Sequence, residues 1–225
     1  MEKTEKLPVL IIAGPTAGGK SARALAIAQE RNGIIINADS MQIYNALPLL
    51  TAQPTPDEQA ESPHALYAAL PPQEPCSAQK WRAMAAAEID KAHAAGQLPI
   101  ITGGTGFYIR ALTEGFSPVP EIPLSVREEG NELQKKLGNP VFHAKLAKRD
   151  PAMAARLHPN DTQRLIRAWE VLEFTGTSLA QWQEAPATGA PAGYDFKFEL
   201  ILPERAELRA RCDRRFDTMI TSGAL

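Results

Sequence analysis

The chain has 225 residues, of which 44% are hydrophobic and 22% charged, and a net charge of −2. That length suits one or two packed domains, and the composition excludes a disordered or fibrous chain. The near-neutral balance excludes a wholesale polycation, so any binding of nucleic acid has to rest on local basic patches. Cys76 and Cys212 stand far apart in no metal-ligand spacing and are read as free thiols. Residues 1–8 carry no signal-peptide core and no apolar run reaches bilayer length, so a reducing, cytoplasmic setting without a membrane is expected.

Residues 9–13 are apolar and lead into Gly14-Pro15-Thr16-Ala17-Gly18-Gly19-Lys20-Ser21, after which Leu25, Ile27 and Ala28 share one helical face. Strand, turn and helix in that order, with Gly-Lys-Ser closing the turn, spell a phosphate-binding loop. Glycines let backbone N–H groups turn inward around an anion, and the helix N-terminus adds its partial positive charge. Lys20 supplies a full charge to phosphate oxygens, and the Ser21 hydroxyl is placed to ligate magnesium.

Residues 33–37 are β-branched and apolar, as expected of a strand buried on both faces of a parallel sheet. The strand ends at Asn37-Ala38-Asp39-Ser40-Met41-Gln42-Ile43-Tyr44, which puts Asp39 at the strand ends where open α/β sheets bind ligands. There the carboxylate can ligate magnesium, accept a proton or cap the following helix. Residues 47–75 are rich in proline and read as loop with at most short helices. Residues 77–95 carry Trp81, Met84, Ala85 and Ile89 at helical spacing, with Gly96 as the stop signal.

Residues 98–102 form the next buried strand, followed by Gly103-Gly104-Thr105-Gly106-Phe107-Tyr108. Three glycines around a threonine imply close approach of backbone to a ligand, with the Thr105 hydroxyl presented to it. This strand ends without a carboxylate, which counts against a motor-type ATPase. From residue 117 the chain turns helical, over 125–137, from Asn139, from Asp150, and over 161–175 with Gly176 as the stop. Lysines and arginines are enriched between Arg127 and Arg167, either as a solvated surface or as a face for a polyanion. Residues 185–193 form an Ala-Pro-Gly-Thr linker, 195–202 a returning strand, and a last helix begins at Pro203. The order predicts an α/β fold, a P-loop NTPase-like parallel sheet flanked by helices (1–116 and 194–225) with an all-helical insertion domain (117–193).

The loop at 14–21, Asp39-Ser40-Met41-Gln42-Ile43-Tyr44, the Gly-Gly-Thr-Gly turn, Asp161-Thr162-Gln163-Arg164-Leu165-Ile166-Arg167-Ala168-Trp169-Glu170-Val171 and residues 208–223 together resemble the tRNA dimethylallyltransferase (tRNA isopentenyltransferase) family. The blocks fall in the same order along nearly the whole chain. Gly18 stands where the family often has serine, Ser21 stands for a common threonine, and the family usually continues through further helices, so the resemblance is to a copy shortened at its C-terminus. It implies transfer of a five-carbon group from dimethylallyl diphosphate to the exocyclic N6 of the adenosine 3′ of a tRNA anticodon, with Mg2+, in a monomer. It further implies that Lys20, the loop amides, Ser21 with magnesium, Thr105 and Arg127 surround the diphosphate and that Asp39 is the base. Asp39, Ser40, Met41, Gln42, Thr105, Arg127, Gln163, Arg164, Leu165, Ile166 and Arg167 would contact the tRNA. Three rival readings are an adenylate prenyltransferase, a P-loop small-molecule kinase and a non-catalytic RNA binder.

Overall fold

The computed structural model describes residues 6–224. Residues 1–5, part of the stretch read as lacking a signal-peptide core, and residue 225 lie outside the described residues. The elements run β1 (Leu7–Ala13), α1 (Lys20–Glu30), β2 (Gly33–Asn37), α2 (Pro48–Thr51), α3 (Pro56–Glu61), β3 (His64–Ala65), α4 (Ala78–Ala94), β4 (Leu98–Thr102), α5 (Gly106–Thr113), α6 (Leu124–Arg149), α7 (Pro151–Ala154), α8 (Thr162–Thr175), α9 (Leu179–Glu184), β5 (Tyr194–Leu200) and α10 (Arg205–Thr221). Glu114–Gly189 is one compact unit and the rest of the described chain is the other. The sequence boundaries at 116/117 and 193/194 therefore stand a few residues beyond the divisions at 113/114 and 189/190.

In the first unit five parallel strands lie in the order β3-β2-β4-β1-β5. β4 sits between β1 and β2, pairing Ile100 with both Leu10 and Ile35. Helices cover both faces of β1, β2 and β4, which is why these strands are continuous apolar runs, whereas the edge strand β5 alternates and leaves Phe198 and Leu200 exposed. Ile12, Ala24, Ile27, Ala28, Ile35 and Ile100 pack together between α1 and the sheet. Trp81, Ala85 and Ile89 of α4 are fully buried, and the Trp81 ring stacks on Tyr108 of α5 with centroids 4.8 Å apart. Burying an isoleucine such as Ile89 contributes roughly 1.5–3 kcal/mol relative to exposure. Ser77 caps α4 by accepting the Lys80 N–H at 3.1 Å, and Gly96, at φ 67°, follows its end.

In this unit one element departs from the sequence reading. β3 lies inside the proline-rich span read as loop; it is two residues long and pairs with β2 at Ile35–His64 and Ile36–Ala65. Its pairing is set by the open edge of β2 and not by any periodicity of its own. β5 begins at Tyr194 and lies on the opposite edge, parallel to β1 from Leu7–Tyr194 to Ala13–Leu200.

The second unit is all helical. α6 is two stretches that meet at Gly138, φ 71° and ψ 161°, one residue before the Asn139-Pro140 start expected from the sequence. Asp150 caps the single turn of α7 through the Met153 N–H, and Asp161 caps α8 through the Arg164 N–H at 3.2 Å. α8 ends at Gly176 in the left-handed region, as its sequence predicts. α9, capped by Ser178, was not expected. Phe142, Leu146, Leu165, Ala168, Trp169 and Leu179 form this unit's core. Among the described residues no helix is long and apolar enough to cross a membrane.

Candidate functional site

The chain leads from β1 across the sheet to β2 and later returns at β5 on the other flank of β1. At such a reversal the loops after the strands diverge and leave a crevice. A cavity of about 400 Å³ occupies it, lined by Thr16, Gly19, Lys20 and Ser21 from the first loop, Asp39 and Gln42 after β2, Gly103 and Gly104 after β4, and Arg211 and Arg215 of α10.

α1 starts at Lys20 behind Gly19, which has φ 96° and provides no side-chain cap. The first N–H groups of a helix have no intrahelical partner, so this uncapped end faces the cavity as an anion site. Lys20 Nζ donates to the carbonyls of Gly14 at 3.0 Å and Pro15 at 2.8 Å. Gly14 and Pro15 therefore hold the lysine while Thr16 to Ser21 line the cavity. Burial lowers the Lys20 pKa from its ordinary value, with Asp39 opposing that shift and Arg215 reinforcing it. Ser21 lines the cavity beside Lys20. The described residues contain no cluster of three or more His, Cys, Asp or Glu side chains that could hold a metal. One hydroxyl beside a phosphate site fits magnesium, which takes few protein ligands and is completed by phosphate oxygens and water.

Asp39 is half-buried. Its Oδ1 accepts the Met41 N–H at 2.9 Å and, more weakly, that of Gln42 at 3.4 Å. The carboxylate thus closes the turn over 39–42, and residues 38–43 form no helix for it to cap. A Cβ at Gly104 would stand 3.0 Å from Asp39 Oδ2, and one at Gly103 would stand 2.1 Å from the Ala38 carbonyl carbon. The glycines after β4 therefore admit the Asp39 loop itself. Thr105 reinforces that junction: its Oγ1 accepts the Ser40 N–H at 2.9 Å and its own N–H donates to Ala38 O at 3.0 Å. The Thr105 hydroxyl proton remains available to donate. Gln42 Nε2 donates to the carbonyls of Thr51 and Ala52 at 2.9 and 2.7 Å, which leaves Oε1 as the atom it can offer. Met41 is exposed. Tyr67 also lines the cavity; burial raises its hydroxyl pKa, with Asp39 and Glu58 adding to the shift, so it stays a neutral group.

Arg211 and Arg215 had no assigned role in the sequence reading. Arg211 Nη1 donates to Gly18 O at 3.2 Å and its Nε to Glu207 at 3.1 Å, while Arg215 lines the cavity one turn further along. Their i,i+4 spacing was the available signal; which strand end the helix faces was not.

The second unit gathers Arg127, Asn131, Gln163, Arg164, Ile166, Arg167 and Glu170 around a groove of about 520 Å³. Leu165 is not among them: it is fully buried in the helical core, so its expected tRNA contact gives way to packing. On a helix its neighbours at 163, 164, 166 and 167 point away from it, and they form the groove. Glu170, 2% exposed, accepts Arg127 Nε at 3.2 Å and Arg167 Nη1 at 2.5 Å. Truncating both arginines strands a buried carboxylate, at an expected cost of about 3–5 kcal/mol. Adding Glu170→Gln to that double variant is expected to recover most of the loss in denaturant unfolding.

The family described as "IPP transferase" matches residues 42–225, and that described as "Isopentenyl transferase" matches residues 7–71. A tRNA dimethylallyltransferase of Paramagnetospirillum magneticum is 56% identical over 97% of this chain and 69% of its own length. That of Rhodospirillum centenum is 51% identical over the same shares. A solved eukaryotic dimethylallyltransferase acting on tRNA superposes with a TM-score of 0.77 at 28% identity, covering 97% of this chain and 54% of that one. The tRNA delta(2)-isopentenylpyrophosphate transferase of Staphylococcus epidermidis gives 0.60 at 32% identity, covering 97% and 71%. The chain thus spans about two thirds of the curated relatives and about half of the eukaryotic structure. It belongs to the tRNA dimethylallyltransferase (isopentenyl transferase) family.

Proposed function

We propose that this protein transfers the dimethylallyl group of dimethylallyl diphosphate to the exocyclic N6 of the adenosine 3′ of a tRNA anticodon, as a cytoplasmic monomer. The observation that carries the reading is the shared cavity of the phosphate loop, Lys20, Arg215 and Asp39. As the allylic C–O bond breaks, its electron pair leaves with the diphosphate, while the amine nitrogen forms the new N–C bond and gives up a proton.

Stabilising the departing anion is the main demand. The α1 N-terminus, Lys20 and Arg215 meet it, and a single preorganised donor of this kind is typically worth about 10²–10³ in rate. Lys20 leaves the Gly14 and Pro15 carbonyls for the phosphates. Magnesium held by Ser21 and the phosphate oxygens would add charge neutralisation there. An adenine amine becomes acidic only as its new bond forms, so the Asp39 carboxylate suffices as base. The adenosine has to leave its stack to be reached, and anticodon-loop bases are readily splayed out.

Gln163, Arg164, Arg167 and Arg127 serve as the polar contacts to RNA from the second unit. Arg164 is exposed, its guanidinium 3.3 Å from Asp161. Arg164→Ala is expected to weaken tRNA binding and to reduce the slope of log affinity against log salt by about 1. Mass spectrometry of nucleosides after incubation with dimethylallyl diphosphate, magnesium and either tRNA or AMP tests the whole reading. Prenylated adenosine from tRNA supports it; product from AMP alone makes the protein an adenylate prenyltransferase. ADP formed from ATP and a phosphoryl acceptor makes it a kinase, and tRNA binding without product makes it an RNA binder.

A further inference from the structure

Asn37 closes β2 and is wholly buried, with nothing of its amide open to solvent. A buried primary amide brings two N–H donors and a carbonyl acceptor that all need partners. These are committed to the chain around Asp39. Asn37 Oδ1 accepts the Asp39 N–H at 2.8 Å, and Nδ2 donates to the Asp39 carbonyl and to the Leu66 carbonyl, each at 3.0 Å. The peptide groups on both sides of Asp39 are thus held by one side chain. Asn37 is itself held, because Trp81 Nε1 donates to its backbone carbonyl at 2.8 Å from within the core.

The consequence falls on the carboxylate. With the backbone of Asp39 fixed, Oδ1 is turned onto the N–H groups of Met41 and Gln42, and Oδ2 is left on the side of Gly104 without a donor among the described residues. An oxygen already accepting two hydrogen bonds is the poorer proton acceptor; Oδ2 is the one with free lone pairs. An apolar residue would close this strand end as well, since Ile36 and Ala38 on either side are buried without polar help.

We propose that Asn37 is the positioning residue for the proton acceptor of the reaction and that Asp39 Oδ2 is the oxygen that takes the proton. This rests on the reading of Asp39 as base. In the balanced step the N–C bond forms, the N–H electron pair stays on nitrogen, and the proton passes to Oδ2. Misplacement of a reacting group by about 1 Å costs on the order of 10² in rate, which is what releasing the Asn37 bonds would permit.

Two variants probe the two halves of the proposal. Asn37→Ser shortens the side chain and removes both amide donations, whereas Gly104→Ala sets a methyl against Oδ2 and breaks no buried hydrogen bond. Each is made alone and in the Asp39→Ala background, with kcat, the KM for donor and for tRNA, and thermal melting measured. The expected result is a kcat lowered by about 10–10² in both single variants, with both KM values within a few fold. In the Asp39→Ala background neither change lowers the residual rate further. Equal losses in both backgrounds would reduce Asn37 to a packing residue and overturn the inference while leaving Asp39 as base. Wild-type kcat in Gly104→Ala would remove Oδ2 from the proton path. Should Asn37→Ser not fold, Gly104→Ala in the two backgrounds still decides the Oδ2 half, and Asn37→Thr in the same two backgrounds decides the positioning half. Unchanged turnover in Asp39→Ala alone would instead remove the base, and the inference with it.

Discussion

Asp39→Ala is expected to lower kcat by about 10²–10⁴, the range for loss of a positioned general base, while tRNA affinity changes by no more than a few fold. The separation follows from where the residue sits. Asp39 lines the cavity beside Lys20, and the hydrogen bonds of its carboxylate are confined to the turn that Met41 and Gln42 complete. Its removal opens no core: Ile36 and Ile43 are buried by the sheet and helices irrespective of the carboxylate. The polar groove of the second unit, which is proposed to bind RNA, contains neither Asp39 nor anything bonded to it. Single-turnover assays with saturating tRNA, beside filter binding, separate the two effects. A kcat within twofold of wild type would remove Asp39 as the base.

The second large effect is expected at the anion site. Lys20→Ala and Arg215→Ala should each reduce kcat/KM for the prenyl donor by about 10²–10³. The two differ in what they leave behind. Lys20 bridges the loop to the donor, because its ammonium releases the Gly14 and Pro15 carbonyls when phosphates arrive. Its loss frees those carbonyls and loosens the loop as well. Arg215 lines the cavity from α10, a helix with no fully buried side chain, so its loss should leave the melting temperature unchanged. The Lys20 pKa is lowered by burial. Its charge is therefore lost, as pH rises, before the ordinary lysine range is reached. Because an anion favours the charged form, diphosphate binding should take up protons in that alkaline window and weaken above it. Calorimetric titration with inorganic diphosphate in buffers of different ionisation enthalpy measures this, and a pH-independent affinity up to the ordinary lysine range would contradict it.

The parts of this site that are readable in the sequence are those whose chemistry is local. A Gly-Lys-Ser turn between an apolar run and an amphipathic helix dictates its own backbone, and an acid at the end of a buried strand has few other places to be. The glycines after β4 announced a close approach, although their neighbour is the Asp39 loop as well as any ligand. Tertiary partners decided what the sequence left open. β3 exists because β2 offers an unpaired edge to two residues that have no strand pattern of their own. Arg211 and Arg215 reach the cavity only because β5 returns beside β1 and aims α10 at the phosphate loop. Leu165 sits in a polar-flanked motif and looks available, yet α8 turns it into the helical core and leaves Gln163, Arg164, Ile166 and Arg167 at the groove. Nothing local to Glu170 signals its role in holding two guanidiniums, which depends on α6 lying beside α8.

The most direct measurement is a crystal structure with a non-hydrolysable dimethylallyl diphosphate analogue and magnesium. The account predicts a diphosphate on the N–H groups that open α1, Lys20 moved from the Gly14 and Pro15 carbonyls onto its oxygens, Arg215 in contact with it, and the allylic carbon facing Asp39 Oδ2. A diphosphate bound away from this loop, or an allylic carbon walled off from Asp39 with a nucleoside triphosphate preferred in the cavity, would contradict it.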